Sequence, residues 1–350
     1  MTKKDIFSLA RKEILKLVPY SSARDDFTSD EKKMIMMDAN ENPFENGLNR
    51  YPDPMQLKLK QRIAELKQIN TNQIYLGNGS DDIINQLIIA FCRPKIDSIL
   101  TCPPTFGMYE VHANLNLIKC LKVPLNKNFE LEEEAILSSI EKNTKIIFIP
   151  NPNNPTGNAF PNTKIKKLID NFNGIILIDE AYFEFNKRDS FLSTIPKHKN
   201  LVVLQTFSKG QGLAGARLGA CFANKYIVEI LNKIKAPYNI NSLTINAVLT
   251  KLEEQGIVYQ QVNEIIEEKN RLLNEIEDVK FIKKIYKSDA NFFMIRVDNG
   301  NKRYQQLLDL GIVVRNTSNY HNCKNTLRIT IGKKDENNAL ISSLYKMEDI

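Results

Sequence analysis

Short apolar runs separated by amphipathic stretches dominate the middle of the chain. Ser80 to Cys92 opens on polar residues and continues at helical spacing, Ser98 to Cys102 is a short strand, and Phe106 onward returns to helical spacing. Lys145 to Ile149, Ile175 to Ile178 and Leu201 to Leu204 are compact β-rich runs, with a helix from Thr163 to Asn171 between the first two. Strands that are apolar on both faces must be covered on both, so the alternation predicts an α/β fold, a mostly parallel sheet flanked by helices.

The pattern changes near Glu253. From there to Val279 a long charged helix is expected, with Ile257, Val262, Ile265, Ile266, Leu272, Leu273 and Ile276 on its buried side. Strands at Asn291 to Val297, Ile312 to Val314 and Thr326 to Ile331, a helix at Arg303 to Leu310 and another from Asp335 then predict a second, smaller α+β domain. At the other end, Ile6, Leu9, Ala10, Ile14 and Leu17 fall on one helical face. Tyr20 to Tyr51, rich in Pro, Asn and Asp, reads as a loop wrapping between the domains. The expected division is a large domain over 46–250 and a small discontinuous one made of 1–45 and 251–350.

Composition fits this reading and removes others. A chain of 350 residues with 42% hydrophobic positions can fill two cores and matches neither disordered nor fibrous classes. Its five cysteines, an odd number without a Cys-x-x-Cys pair, read as thiols of a reducing compartment. No apolar run approaches the roughly 18 residues that span a bilayer, and charges interrupt Met1 to Tyr20, so a cytoplasmic protein with no membrane segment is expected. The net charge of +7 is dispersed, Trp is absent, and no basic stretch alternates with aromatics, which argues against nucleic acid. His112, His198 and His321 lie in no metal spacing, and no metal is expected.

Candidate chemistry gathers at strand ends, where open α/β sheets bind ligands. Asn151-Pro152-Asn153-Asn154-Pro155-Thr156-Gly157 follows one strand, Asp179-Glu180-Ala181-Tyr182 the next, and Thr206-Phe207-Ser208-Lys209 a third. Each alone suits an ordinary turn, helix cap or surface charge. Lys209 between hydroxyl residues, then a glycine-rich loop, then Arg217, is however a composition suited to holding a phosphate beside an amine. Gly77-Asn78-Gly79-Ser80-Asp81 lacks the third glycine of a dinucleotide fingerprint, which disfavours a dehydrogenase.

The ordered set Asn154, Asp179, Tyr182, Lys209 and Arg217 resembles the fold-type I pyridoxal-phosphate enzymes of the aspartate aminotransferase superfamily, over nearly the whole chain. The resemblance implies pyridoxal 5'-phosphate as cofactor, with Lys209 as the catalytic residue, forming the Schiff base and shuttling a proton. It implies that Asp179 pairs with the ring nitrogen and that Tyr182 and Asn154 bond the phenolic oxygen. Arg217, Thr206, Ser208 and the N–H groups of Ser80 and Asp81 are then expected to hold the phosphate. Phe106 stands where the family stacks an aromatic ring, commonly Tyr, so stacking is kept and a hydroxyl is lost.

Within the superfamily, Asp38-Ala39-Asn40-Glu41-Asn42-Pro43, Asn49-Arg50-Tyr51-Pro52-Asp53, Pro103 to Tyr109, Val313-Val314-Arg315 and Leu327-Arg328-Ile329-Thr330-Ile331-Gly332 resemble the histidinol-phosphate aminotransferases. That resemblance implies ping-pong amino transfer from L-glutamate to imidazole-acetol phosphate, giving 2-oxoglutarate and L-histidinol phosphate in histidine biosynthesis. Arg328, with Arg315, Tyr20 and Asn154, is expected to bind substrate, and Tyr51 to reach the partner's cofactor phosphate in a homodimer. The alternatives are an aromatic or broad-specificity aminotransferase, a threonine-phosphate decarboxylase and a non-catalytic pyridoxal-phosphate-binding protein.

Overall fold

The computed structural model describes residues 3–19, 35–186 and 188–348. Among them two sheets form. The larger contains β1 (Ile74–Asn78), β2 (Ser98–Thr101), β3 (Lys119–Lys122), β4 (Thr144–Pro150), β5 (Ile175–Asp179), β6 (Leu201–Thr206) and β7 (Leu218–Ala223). The smaller contains β8 (Ile282–Ile285), β9 (Phe292–Val297), β10 (Arg315–Asn316) and β11 (Thr326–Thr330).

The large sheet runs β1-β7-β6-β5-β4-β2-β3, parallel from β3 through β6, with β7 antiparallel to both neighbours. Every residue of β5 is buried because both faces are covered. Ile176 and Ile178 join Ile147, Ile149 and Val203 in one core, while Ile175 and Leu177 join Ile146, Phe148, Val202 and Leu204 in the other. Among the described residues the link from β5 to β6 has no α-helix, only 3₁₀ turns at Phe183–Phe185 and Phe191–Thr194. Leu59 and Ile63 of helix Leu57–Lys67, with Val248 and Leu252 of helix Ser242–Glu253, add apolar cover to the first of these cores.

Three sequence expectations need correcting. The single N-terminal helical face is split into helices Lys3–Leu9 and Lys12–Lys16. At the break Arg11 is extended; its amide donates to the Ala90 carbonyl at 3.0 Å and its guanidinium to that of Ile89 at 3.1 Å, so tertiary bonds override helical spacing. Ile6 and Ala10 are buried in the large sheet's second core, not against the small sheet with which the sequence division grouped them. In the small sheet, Ile312 to Val314 is not a strand. Ile312 N–H closes on the Leu307 carbonyl at 2.8 Å, Val313 is 80% exposed, and pairing begins only at Arg315, opposite Arg328.

The predicted long helix is Gln255–Glu275, and its Leu272 packs with Phe293, Ile295, Val297, Leu327 and Ile329 in the small sheet's own core. Period two sends the intervening residues the other way: Met294 reaches a core of the large sheet, and Arg328 and Arg315 share its face by register. The sheets are joined at Gly157, whose positive φ and missing Cβ admit Ser288. There Asp289 N–H donates to the Gly157 carbonyl at 2.8 Å and the Asp289 carboxylate accepts from Ala159 N–H at 2.8 Å. No helix of the described residues is long and apolar enough to cross a membrane.

Candidate active site

β4, β5 and β6 are sheet neighbours, so the loops after them meet at one edge. A cavity of about 160 Å³ opens there, lined by Ser80, Asp81, Phe106, Asn154, Asp179, Tyr182, Thr206, Ser208, Lys209 and Arg217 together with Pro150, Pro152, Ala181 and Ala214. Segments far apart in sequence are thus brought together, and of the expected cofactor residues only Tyr51 lies elsewhere.

Asp179 is the last residue of β5, opposite Pro150, and the Asn151 amide donates to its carbonyl at 2.8 Å. Its carboxylate accepts from Ala181 N–H at 3.0 Å and from the Tyr109 hydroxyl at 2.6 Å. Burial nevertheless dominates and pushes its pKa up to about 6, against the pull of those bonds. Tyr109 itself is fully buried, stacked on Phe148 with centroids 4.7 Å apart and set edge-on to Phe106 at 5.5 Å. Sequence reading missed this residue as a site partner, since a buried aromatic in a helix resembles core and the carboxylate it serves is 70 positions away. Its neighbour Phe106, three residues back, was the available signal.

Lys209 sits in a turn closed by Gly212 N–H donating to its carbonyl at 3.0 Å and Leu213 N–H to that of Phe207 at 2.9 Å. Its ammonium lies 5.7 Å from the Tyr182 ring centroid. Burial first, then Arg328 and Arg217, lower its pKa, which favours a neutral amine. Burial raises Tyr182 to about 12, keeping the phenol a donor.

At the other end is a cradle for an anion. Helix Gly79–Phe91 begins immediately after β1, and a Cβ on Gly219 would lie 2.6 Å from Ser80 N, so only glycine lets this N-terminus lie against β7. The Arg217 guanidinium approaches Gly79 so closely that a Cβ there would sit 2.7 Å from it, and Asp81 is 3.9 Å away. N–H groups at a helix start, two hydroxyls and a guanidinium suit a phosphate. The Asp81 Oδ1 and Arg328 Nε atoms are buried without partners, as expected of a site whose donors and acceptors serve a bound group.

The anion-binding candidates differ among themselves. Arg328 donates to the Asn154 side-chain oxygen and lies over the Phe292 ring at 5.1 Å, and burial lowers its pKa. Arg315 stands beside it across the β10–β11 pair but is exposed. Tyr51 is 52% exposed and stacked on Tyr238 at 4.4 Å, in a separate depression with Asn241 and Ser242. Tyr20 lies outside the described residues.

Residues 27–344 match the family described as aminotransferase class I and II. The chain is 48% identical to the histidinol-phosphate aminotransferase of Flavobacterium psychrophilum over 98% of its own length and 99% of the relative's. It is 47% identical to that of Parabacteroides distasonis over 99% of both. Among solved structures, the histidinol-phosphate aminotransferase of Clostridium acetobutylicum superposes with a TM-score of 0.80 at 27% identity, covering 86% of this chain and 91% of that one. The Sinorhizobium meliloti enzyme in complex with pyridoxal-5'-phosphate shares the fold, with a TM-score of 0.78 at 21% identity over 85% and 82% of the two chains. A sheet edge that converges an amine, a buried carboxylate and a phosphate cradle, in a chain with these relatives, places the protein in the class I and II aminotransferase family, among the histidinol-phosphate aminotransferases.

Proposed function

We propose that the chain transfers an amino group between L-glutamate and imidazole-acetol phosphate, giving L-histidinol phosphate and 2-oxoglutarate, with pyridoxal 5'-phosphate in the cavity at the β4–β6 edge. The observation that carries this is the convergence of Asn154, Asp179, Tyr182, Lys209 and Arg217 on that cavity. Near-full-length identity to histidinol-phosphate aminotransferases favours this substrate over aromatic amino acids or decarboxylation of threonine phosphate.

Bound there, the cofactor supplies an electron sink for a substrate carbanion. The chain does the rest. Lys209 would hold the cofactor through Nζ and would carry a proton at the same atom. Asp179 keeps a proton on the ring nitrogen; Tyr182 and Asn154 donate to the ring oxygen. Thr206, Ser208, Arg217 and the N–H groups of Ser80 and Asp81 hold the phosphate, and Phe106 packs on the ring. Arg328, assisted by Arg315, Asn154 and Tyr20, binds the glutamate carboxylate in one half-reaction and the substrate phosphate in the other, both of which fit a planar guanidinium. Residues 46–250 carry the cofactor, 251–350 close over it, and Tyr51 reaches the phosphate of the partner subunit in a homodimer.

Single-turnover conversion of the bound cofactor tests the substrate. Rapid conversion by histidinol phosphate and by glutamate is expected. Conversion by phenylalanine but not histidinol phosphate assigns an aromatic enzyme, and carbon dioxide from threonine phosphate assigns the decarboxylase.

A further inference from the structure

Behind Thr206, which lines the cofactor cavity on one side, lies a second cavity of about 200 Å³. Its wall includes Lys67, Glu184, Gln205, Gln211 and Gln255 among apolar side chains. Glu184 follows Tyr182 in the turn after β5 and crosses to the loop after β6. A Cβ on Gly210 would lie 2.7 to 2.9 Å from three carbons of the Glu184 side chain, so the acid is packed directly against the backbone of the residue after Lys209.

Two carboxylates in this turn are treated very differently. Glu180 accepts from Ser190 Oγ at 2.6 Å, Phe191 N–H at 2.7 Å and Gln205 Nε2 at 2.9 Å. Glu184 has Oε2 buried with no partner. Lys67 lines the same cavity, with its ammonium 4.7 Å from the Phe183 ring centroid, and makes no ion pair with Glu184 among the described residues. A purely structural acid in such a place would be saturated, as Glu180 is.

We infer that Glu184 is a positioning residue for Lys209: packed on Gly210, it braces the turn that aims the amine, and its ionisation loosens that brace by drawing the carboxylate toward Lys67. The inference rests on Lys209 being the amine that carries the chemistry. The titratable groups facing Glu184 are Lys67, from helix Leu57–Lys67, whose own pKa burial lowers while Glu184 and Glu180 pull it back up, and Glu180, from its own turn; Gln205, Gln211 and Gln255 are neutral. Burial raises the acid to about 7, with Lys67 and a hydrogen bond from its own backbone N–H opposing and Glu180 adding to the rise. The brace is therefore in place on the acid side of neutrality and is released as pH rises through about 7.

Amide hydrogen exchange of the segment Gly210 to Leu213, corrected for intrinsic rates and measured without cofactor, reads the brace apart from activity. In the wild type, protection should fall at least about threefold between about pH 6 and pH 8. Glu184→Gln, neutral and of the same shape, should hold protection constant, and its kcat should lose the same alkaline limb while KM for glutamate changes little. Lys67→Met removes the cation that favours ionisation and should move the limb to higher pH. Superimposable exchange and kcat profiles for wild type, Glu184→Gln and Lys67→Met overturn the inference. If Lys209→Ala keeps full activity, the reading of the site itself falls; if Lys209→Ala is inactive while those profiles coincide, only the role of Glu184 does.

Discussion

The two halves of the site are built on different principles. The cofactor half comes from neighbouring strand ends of one sheet, where hydrogen-bonded register sets Asp179 between Pro150 and Leu204 and the loops after β4 and β6 bring Asn154 and Lys209 to the same cavity. The anion half comes from alternate positions of a separate antiparallel sheet, and it reaches the first through the clasp of Gly157, Ala159, Ser288 and Asp289. The first is as rigid as its sheet, whereas the second is as accurate as the fit between two packed bodies. Substitutions in the first half should therefore damage cofactor binding and chemistry, and those in the second should change substrate affinity and leave the cofactor in place.

The sharpest break of this contrast is Lys209→Ala. Turnover should fall by at least about 10³-fold, with loss of the visible absorbance of the cofactor-loaded protein. Arg328→Ala should raise KM for glutamate about 10- to 100-fold, and equilibrium dialysis should show cofactor affinity within about twofold of wild type. Arg328→Lys should recover little, because an ammonium cannot fork onto a carboxylate. A comparable loss of cofactor in Arg328→Ala would erase the distinction between the halves.

Asp179 gives a pH signature confined to the first half. Its carboxyl is raised to about 6 by burial, so cofactor affinity should strengthen as pH rises through about 6 and the ionised form becomes available to a positively charged ring nitrogen. For the protein without cofactor the sign reverses. A raised carboxyl pKa means the folded chain binds the proton more tightly, so this stabilising contribution is complete in acid and is lost as pH rises through about 6. Asp179→Asn should flatten both dependences, measured by dialysis and by thermal melting. Tyr109→Phe removes a bond that lowers the Asp179 pKa, so the affinity limb should move to higher pH, with a loss of about 5- to 10-fold in cofactor affinity near neutrality.

The smallest effect belongs to the clasp. Asp289→Asn weakens the carboxylate bond to Ala159 N–H and should cost about 1 kcal/mol in stability by denaturant titration, with a modest rise in KM for glutamate and no change in cofactor affinity.

The same contrast explains what could be read in advance. Asp179 and Lys209 follow apolar runs such as Ile175–Ile178 and Leu201–Leu204 almost directly, so strand and chemistry are adjacent in sequence. β7, Leu-Gly-Ala-Cys-Phe-Ala, carries no β-branched residue, and its glycine exists for contact with the helix start at Gly79. β10 is two residues long and is defined by its partner. Tyr109 and Glu184 matter through neighbours supplied by distant segments of the chain, and local spacing carries no record of those. The break at Arg11 is likewise decided by carbonyls at Ile89 and Ala90.

The alternation along β9 and β11 has an evolutionary consequence. Phe293, Ile295, Leu327 and Ile329 hold the small sheet together, while Met294, Arg315 and Arg328 occupy its other side. Changes on that second side can alter which anion is accepted without repacking the core beneath. A one-residue slip in pairing, by contrast, would turn Arg328 into the hydrophobic interior and expose its neighbours, so selection for substrate choice can act on side chains only while register is held fixed.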